Sequence, residues 1–153
     1  MKTTFIVNPT AGNGTSLKRW EKFKEKLDFT YVVHMTTSPK HATELAKACA
    51  QSGESQLLIA FGGDGTAHEV IEGVLDCPNC IVGVVGAGSG NDFGRGFPSF
   101  HQAEEVNMYV QSQGKTIEMD IGYVVTSQQS FTFVNNAGIG FDAYVAYHVK
   151  KSP

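Results

Sequence analysis

The residues of this chain best suited to chemistry lie in its glycine-rich stretches. The first is Gly62-Gly63-Asp64-Gly65-Thr66, entered from the apolar run Leu57-Leu58-Ile59-Ala60-Phe61 and followed by a helical pattern. Glycines allow positive φ and close approach of main-chain N–H groups to an anion, and the amides at a helix start favour a phosphate. A nucleotide phosphate is the guest this predicts. A carboxylate beside phosphates repels them unless it organises Mg²⁺ or accepts the proton of an attacking hydroxyl. Asp64 is therefore the candidate catalytic residue, with both roles open. The competing reading is an Asp that only stabilises its own turn, but glycines on both sides already permit that turn. Thr66 and Glu69 have the T-x-x-E spacing of a capping box, which predicts that they cap their own helix.

A second glycine loop, Gly86-Ala87-Gly88-Ser89-Gly90-Asn91-Asp92, follows the apolar run Ile81 to Val85. A third small-residue loop, Asn8-Pro9-Thr10-Ala11-Gly12-Asn13-Gly14, follows the first apolar run. In a parallel sheet all three loops leave the same carboxyl edge and can face one crevice. A dinucleotide-binding reading is weakened because Thr30 to Thr37 lacks the acidic residue expected at the end of the second strand. Gly114-Lys115-Thr116 imitates the tail of a Walker A loop, yet position 109 is Tyr and a strand pattern follows, so it is a decoy.

The elements that must position these loops alternate. Thr3 to Asn8, Tyr31 to Met35, Leu57 to Phe61 and Ile81 to Val85 read as strands. Ser16 to Leu27, Pro39 to Gln51, Thr66 to Leu75 and Ala103 to Gln111 read as helices, the second opened by Ser38 as N-cap with Pro39 in its first turn. Continuous apolar strands separated by helices imply a buried, mostly parallel sheet in a doubly wound α/β domain. After Gly114 the pattern becomes two strands, Lys115 to Val125 and Phe131 to Asn135, around a polar turn. This predicts a nucleotide-binding domain over 1–118 and the incomplete start of a second, β-rich unit over 119–153. The apolar side chains of that stub make a homodimer one expectation.

Composition bounds the rest. The chain has 153 residues and a formal net charge of −3, which gives no electrostatic footprint for nucleic acid. The N-terminal apolar run, Phe5 to Val7, is too short for a signal-peptide core, so a cytoplasmic location is expected. Cys49, Cys77 and Cys80 lack a second pair at zinc spacing, and Cys77 with Cys80 read as reduced loop thiols. His68 beside the first glycine loop reads as an ordinary helix residue, and the five histidines show no metal-ligand spacing. Lys18, Arg19, Lys22, Lys24 and Lys26 alternate with Glu21 and Glu25 and read as a solvated helix face. Trp20, Phe23 and Leu27 read as its core anchors.

Asn8-Pro9 with Gly12, Gly62-Gly63-Asp64-Gly65-Thr66 followed by Glu69-Val70, and Gly88-Ser89-Gly90-Asn91-Asp92-Phe93 together resemble the diacylglycerol kinase catalytic-domain family, which includes sphingosine and ceramide kinases. Asp120-Ile121-Gly122 and the stretch from Phe133 to Asp142 resemble its continuation into a second domain. The resemblance implies a Rossmann-like, phosphofructokinase-like fold and ATP-dependent transfer of a phosphoryl group to a lipid hydroxyl. It places Asn8, Pro9, Thr10, Ala11, Gly12, Thr36, Gly62, Gly63, Asp64, Gly65, Thr66, Glu69, Gly88 and Ser89 around ATP with Mg²⁺. Gly86 stands where the family commonly has a proline. The lipid would be met peripherally at the inner membrane surface, by a β-sandwich domain of which this chain holds little, so the chain alone is expected to be inactive. The alternatives are another Gly-Gly-Asp-Gly-Thr kinase, of the NAD kinase or phosphofructokinase type, and a nucleotide-binding fragment without catalysis.

Overall fold

The structure is a computed structural model that describes residues 1–87, 94, 96–134 and 143. It divides into two compact units, Met1–Met119 and Asp120–Pro153. The first holds strands β1 (Lys2–Val7), β2 (Val32–Met35), β3 (Gln56–Gly62) and β4 (Cys80–Gly86). Helices α1 (Thr15–Lys24), α2 (His41–Ala50) and α3 (Asp64–Gly73) alternate with them, and α4 (Ala103–Ser112) follows. All four strands are parallel, in the order β2-β1-β3-β4. The doubly wound α/β reading therefore holds.

Alternation along the strands divides the core into two faces. On one face Phe5, Val7, Leu57, Ile59, Phe61 and Val85 pack with Trp20 and Phe23 of α1 and with Ala103 and Val106 of α4. Its rings pack closely, Phe5 and Trp20 tilted with centroids 5.0 Å apart and Phe23 and Phe61 edge to face at 5.2 Å. Trp20 and Phe23 are the core anchors their spacing predicted, with Leu27 packed partly against them. On the opposite face Ile6, Leu58 and Val70 are fully buried, and helices α2 and α3 meet each other through small residues. Ala42 and Ala46 of α2 and Ala67 of α3 are fully buried, and a Cβ on Gly73 would lie 2.6 Å from the Ala46 Cβ. Only glycine there lets α2 and α3 approach so closely.

Three local expectations are corrected. Helix α2 begins at His41, not Pro39, because Pro39 and Lys40 form a turn and Lys40 takes the left-handed conformation as N-cap (φ 66°). Ser38 makes no cap; its carbonyl accepts the His41 N–H at 3.3 Å. Arg19 is not merely solvated: its guanidinium donates to the Gly86 and His101 carbonyls and lies 5.9 Å from the Phe61 ring centre. The long strand expected from Lys115 is confined to β5 (Gly122–Val125), because its antiparallel partner β6 (Ser130–Phe133) offers only four residues. That hairpin, in the second unit, leaves Tyr123, Val125 and Phe131 exposed.

Candidate functional site

The sequence of strands β2-β1-β3-β4 reverses direction between β1 and β3, since β1 connects outward to β2 and β3 connects the other way to β4. Loops separate at such a point and leave a crevice at the carboxyl edge. A cleft of about 550 Å³ lies there, lined by residues of the loops after β1, β2 and β3.

The β1 loop is fixed by Asn8. Its main-chain N–H donates to the Phe61 carbonyl at 2.9 Å, tying the ends of β1 and β3 together. Its side-chain Oδ1 accepts from the Thr10 N–H at 3.1 Å and the Thr10 hydroxyl at 2.9 Å, an Asx turn around Pro9. Its Nδ2 donates to the Thr66 hydroxyl at 3.1 Å, in the first turn of α3. Gly12 then passes close beneath the second glycine stretch: it has φ 59°, and a Cβ would sit 2.6 Å from the Ala87 carbonyl oxygen. The Ala87 N–H in turn donates to the Gly62 carbonyl at 2.6 Å. Any side chain at position 12 would force these loops apart.

At the β3 end, Gly63 is the N-cap of α3 and Asp64 its first residue, so the cap lies three positions earlier than the capping-box spacing predicted. Thr66 is therefore inside the helix, and its hydroxyl serves the link to Asn8. Glu69 does not fold back on its own helix. Its Oε1 accepts the Lys40 N–H at 3.0 Å and its Oε2 the Ala42 N–H at 3.2 Å, so it caps α2. The sequence pattern identified a capping carboxylate and assigned it to the wrong helix.

Of the predicted site residues, Asn8, Thr10, Ala11, Gly12, Thr36, Gly63, Asp64, Gly65, Thr66 and Glu69 all line this one cleft. Pro9 and Gly62 belong to the same segments without lining it, and Gly88 and Ser89 lie outside the described residues. Thr36 is nearly buried, and its N–H donates to the Val7 carbonyl at 2.9 Å. Thr37, Ser38 and Pro39 also line the cleft and were missed, although they follow β2 at the same carboxyl edge and the same positional argument covers them. Thr37 directs its N–H to the His41 Nδ1 at 3.1 Å.

The lining holds two carboxylates and five hydroxyls, but no Lys or Arg among the described residues. An anion entering here would depend on main-chain N–H groups, hydroxyls and an accompanying cation. Elsewhere, the Cys80 and Cys77 sulfurs lie 2.9 Å apart as free thiols at the start of β4. Burial and the Cys77 thiol push Cys80 up to about 12. No helix among the described residues is long and apolar enough to cross a membrane.

A sequence profile for the diacylglycerol kinase catalytic domain matches residues 2–124. A Bacillus subtilis protein proposed to be a lipid kinase, YtlR, is 36% identical over 92% of this chain and 48% of its own length. A diacylglycerol kinase of the same organism is 32% identical over 97% of this chain and 48% of its own. A diacylglycerol kinase crystal structure from Bacillus anthracis superposes with a TM-score of 0.57 at 27% identity, over 85% of this chain and 45% of that one. The chain thus spans about half the length of the relatives it matches. Their match sets aside the NAD kinase and phosphofructokinase alternatives, and the chain belongs to the diacylglycerol kinase catalytic-domain family.

Proposed function

We propose that this chain binds ATP with Mg²⁺ in the cleft between β1 and β3, as the nucleotide-holding part of a lipid kinase that transfers the γ-phosphoryl group of ATP to a lipid hydroxyl. The observation that carries this reading is the meeting of three strand-end loops in one cleft, with Asp64 opening the helix that faces it. Main-chain N–H groups at Gly63 and Gly65, at the start of α3, suit the phosphates. Gly12 lines the same cleft, and its missing side chain lets the β1 loop pass close to Ala87. Thr36 and its neighbours wall the opposite side. On the same reading, Gly88 and Ser89 complete the phosphate cradle.

Among the described residues no three His, Cys, Asp or Glu side chains gather as metal ligands. That suits a cation held chiefly by nucleotide phosphates and touched by a single carboxylate, which is how Mg²⁺ is commonly bound. Asp64, the first residue of α3 and part of the cleft lining, would supply that carboxylate. Mg²⁺ would offset phosphate charge beside a lining whose described residues include no Lys or Arg. Asp64 has a second task open to it, taking the proton from the lipid hydroxyl as that oxygen attacks.

Titration calorimetry with ADP and Mg²⁺ tests the site. The wild-type chain should bind, and Gly63→Val should abolish binding while the protein stays folded. No heat from the wild type at millimolar ADP would remove the nucleotide assignment. In a lipid-kinase-active protein carrying this segment, Asp64→Asn should lower kcat far more than it raises KM for ATP, because the carboxylate acts in transfer.

A further inference from the structure

None of α1, α2 and α3 receives a side-chain hydrogen bond from its own N-cap residue, respectively Gly14, Lys40 and Gly63. Donors at a helix start that lack a cap attract other acceptors, anions among them. At α1 main-chain carbonyls take the first of them, the Thr15 N–H donating to Gly12 at 3.1 Å and the Ser16 N–H to Ala11 at 3.2 Å. At α2 an anion is already in place, because the Glu69 carboxylate takes both the Lys40 and the Ala42 N–H. The contact depends on close packing of the helices at Gly73, whose missing Cβ would also lie 2.7 Å from the Thr43 carbonyl oxygen. Glu69 is partly buried and stands in the cleft wall, so its charge is felt by whatever enters.

We infer that Glu69 is a specificity-determining residue that acts as a built-in anion: it fills the α2 end, holds residues 36–40 against α3, and keeps phosphate away from that wall. An incoming phosphate would have to displace a tethered carboxylate and meet its charge, whereas an uncharged group would meet neither obstacle. The α2 end is thereby closed to a free anion. This rests on the nucleotide reading only in what it says of bound nucleotide; occupancy of the α2 end by a carboxylate is independent of it.

The test compares wild type, Glu69→Gln, Glu69→Ala and Glu69→Asp in the full chain. First, Tm is measured in inorganic phosphate against chloride at equal ionic strength. Glu69→Ala should gain a phosphate-specific rise of about 4 °C over wild type, because the vacated N–H groups take up the free anion. Glu69→Gln should gain less, since its amide oxygen still accepts one of the two hydrogen bonds, and Glu69→Asp should restore the wild-type response. Second, calorimetry compares tripolyphosphate with adenosine. Removing the charge should shift their affinity ratio about tenfold toward tripolyphosphate, whereas loss of a merely structural cap would weaken both ligands alike. If Glu69→Ala is too unstable to assay, Glu69→Gln carries both measurements. Nucleotide binding by the wild type with no phosphate-specific gain in either variant would overturn the inference and leave the nucleotide reading intact. A phosphate-specific gain in a chain that binds no nucleotide would do the reverse.

Discussion

The two faces of the sheet are packed by opposite means. On the α1 and α4 face, large rings fill the space between helix and sheet: Trp20 lies 5.0 Å from Phe5 and 5.3 Å from Phe61, centre to centre. On the α2 and α3 face, Ala42, Ala46, Ala67 and Gly73 leave almost no space to fill, and the helix backbones come close to touching. Rings bury much apolar area, and each well-oriented pair adds about 0.5–1.5 kcal/mol. Small residues bury little, but they allow a side chain of one helix to reach the main chain of the next. The second face therefore sets the geometry of the cleft, through the Glu69 link to α2.

This division can be broken most sharply at Trp20. Trp20→Ala should lower unfolding free energy by about 3–5 kcal/mol, read from the urea midpoint. At low temperature, where the variant is still folded, its preference for ADP over adenosine should match wild type. A changed preference would show that the aromatic face also shapes the cleft. Gly73→Val should have the complementary effect. Overpacking costs about 1–3 kcal/mol, less than the loss of Trp20. In separating α2 from α3, the variant should acquire the same phosphate-dependent rise in Tm expected of Glu69→Ala. If Gly73→Val is destabilised without that rise, the small-residue face is only packing.

The least effect should come from Cys80, at the start of the edge strand. Burial and Cys77 push its thiol from 9.0 up to about 12. Its contribution to stability is therefore complete below about pH 9 and is lost as pH rises toward 12, because the unfolded chain releases this proton first. Urea midpoints followed from neutral to alkaline pH should show a decline that is shallower in Cys80→Ser, and of equal slope in the Trp20 and Gly73 variants.

Much of this arrangement was legible in the sequence, for a reason that also explains the misses. Buried parallel strands must be apolar throughout, so Leu57 to Phe61 and Ile81 to Val85 marked the sheet, and loops after such strands must share one edge. The convergence of Asn8, Thr36 and Asp64 on one cleft follows from that rule. What failed depended on contacts between elements. Ser38 has the chemistry of an N-cap, but α2 is capped by a carboxylate brought from α3, and no pattern within α2 records it. Thr66 and Glu69 fit a local motif, yet the partners each acquires lie far along the chain, 58 residues away for Thr66. Arg19 looked like its solvated neighbours because the carbonyls it binds belong to distant segments.

That last contact also bears on the order of events in folding. The Arg19 guanidinium joins α1 to carbonyls 67 and 82 residues later in the chain. Contacts of such long separation are costly to close early, and this one needs β4 and the start of α4 to have arrived beforehand. It is a latch that engages after the sheet has assembled. Interactions absent from the folding transition state leave the folding rate almost untouched and act on the rate of opening instead. Arg19 thus bears on how long α1 stays joined to Gly86 and His101, and has little bearing on how quickly they first meet.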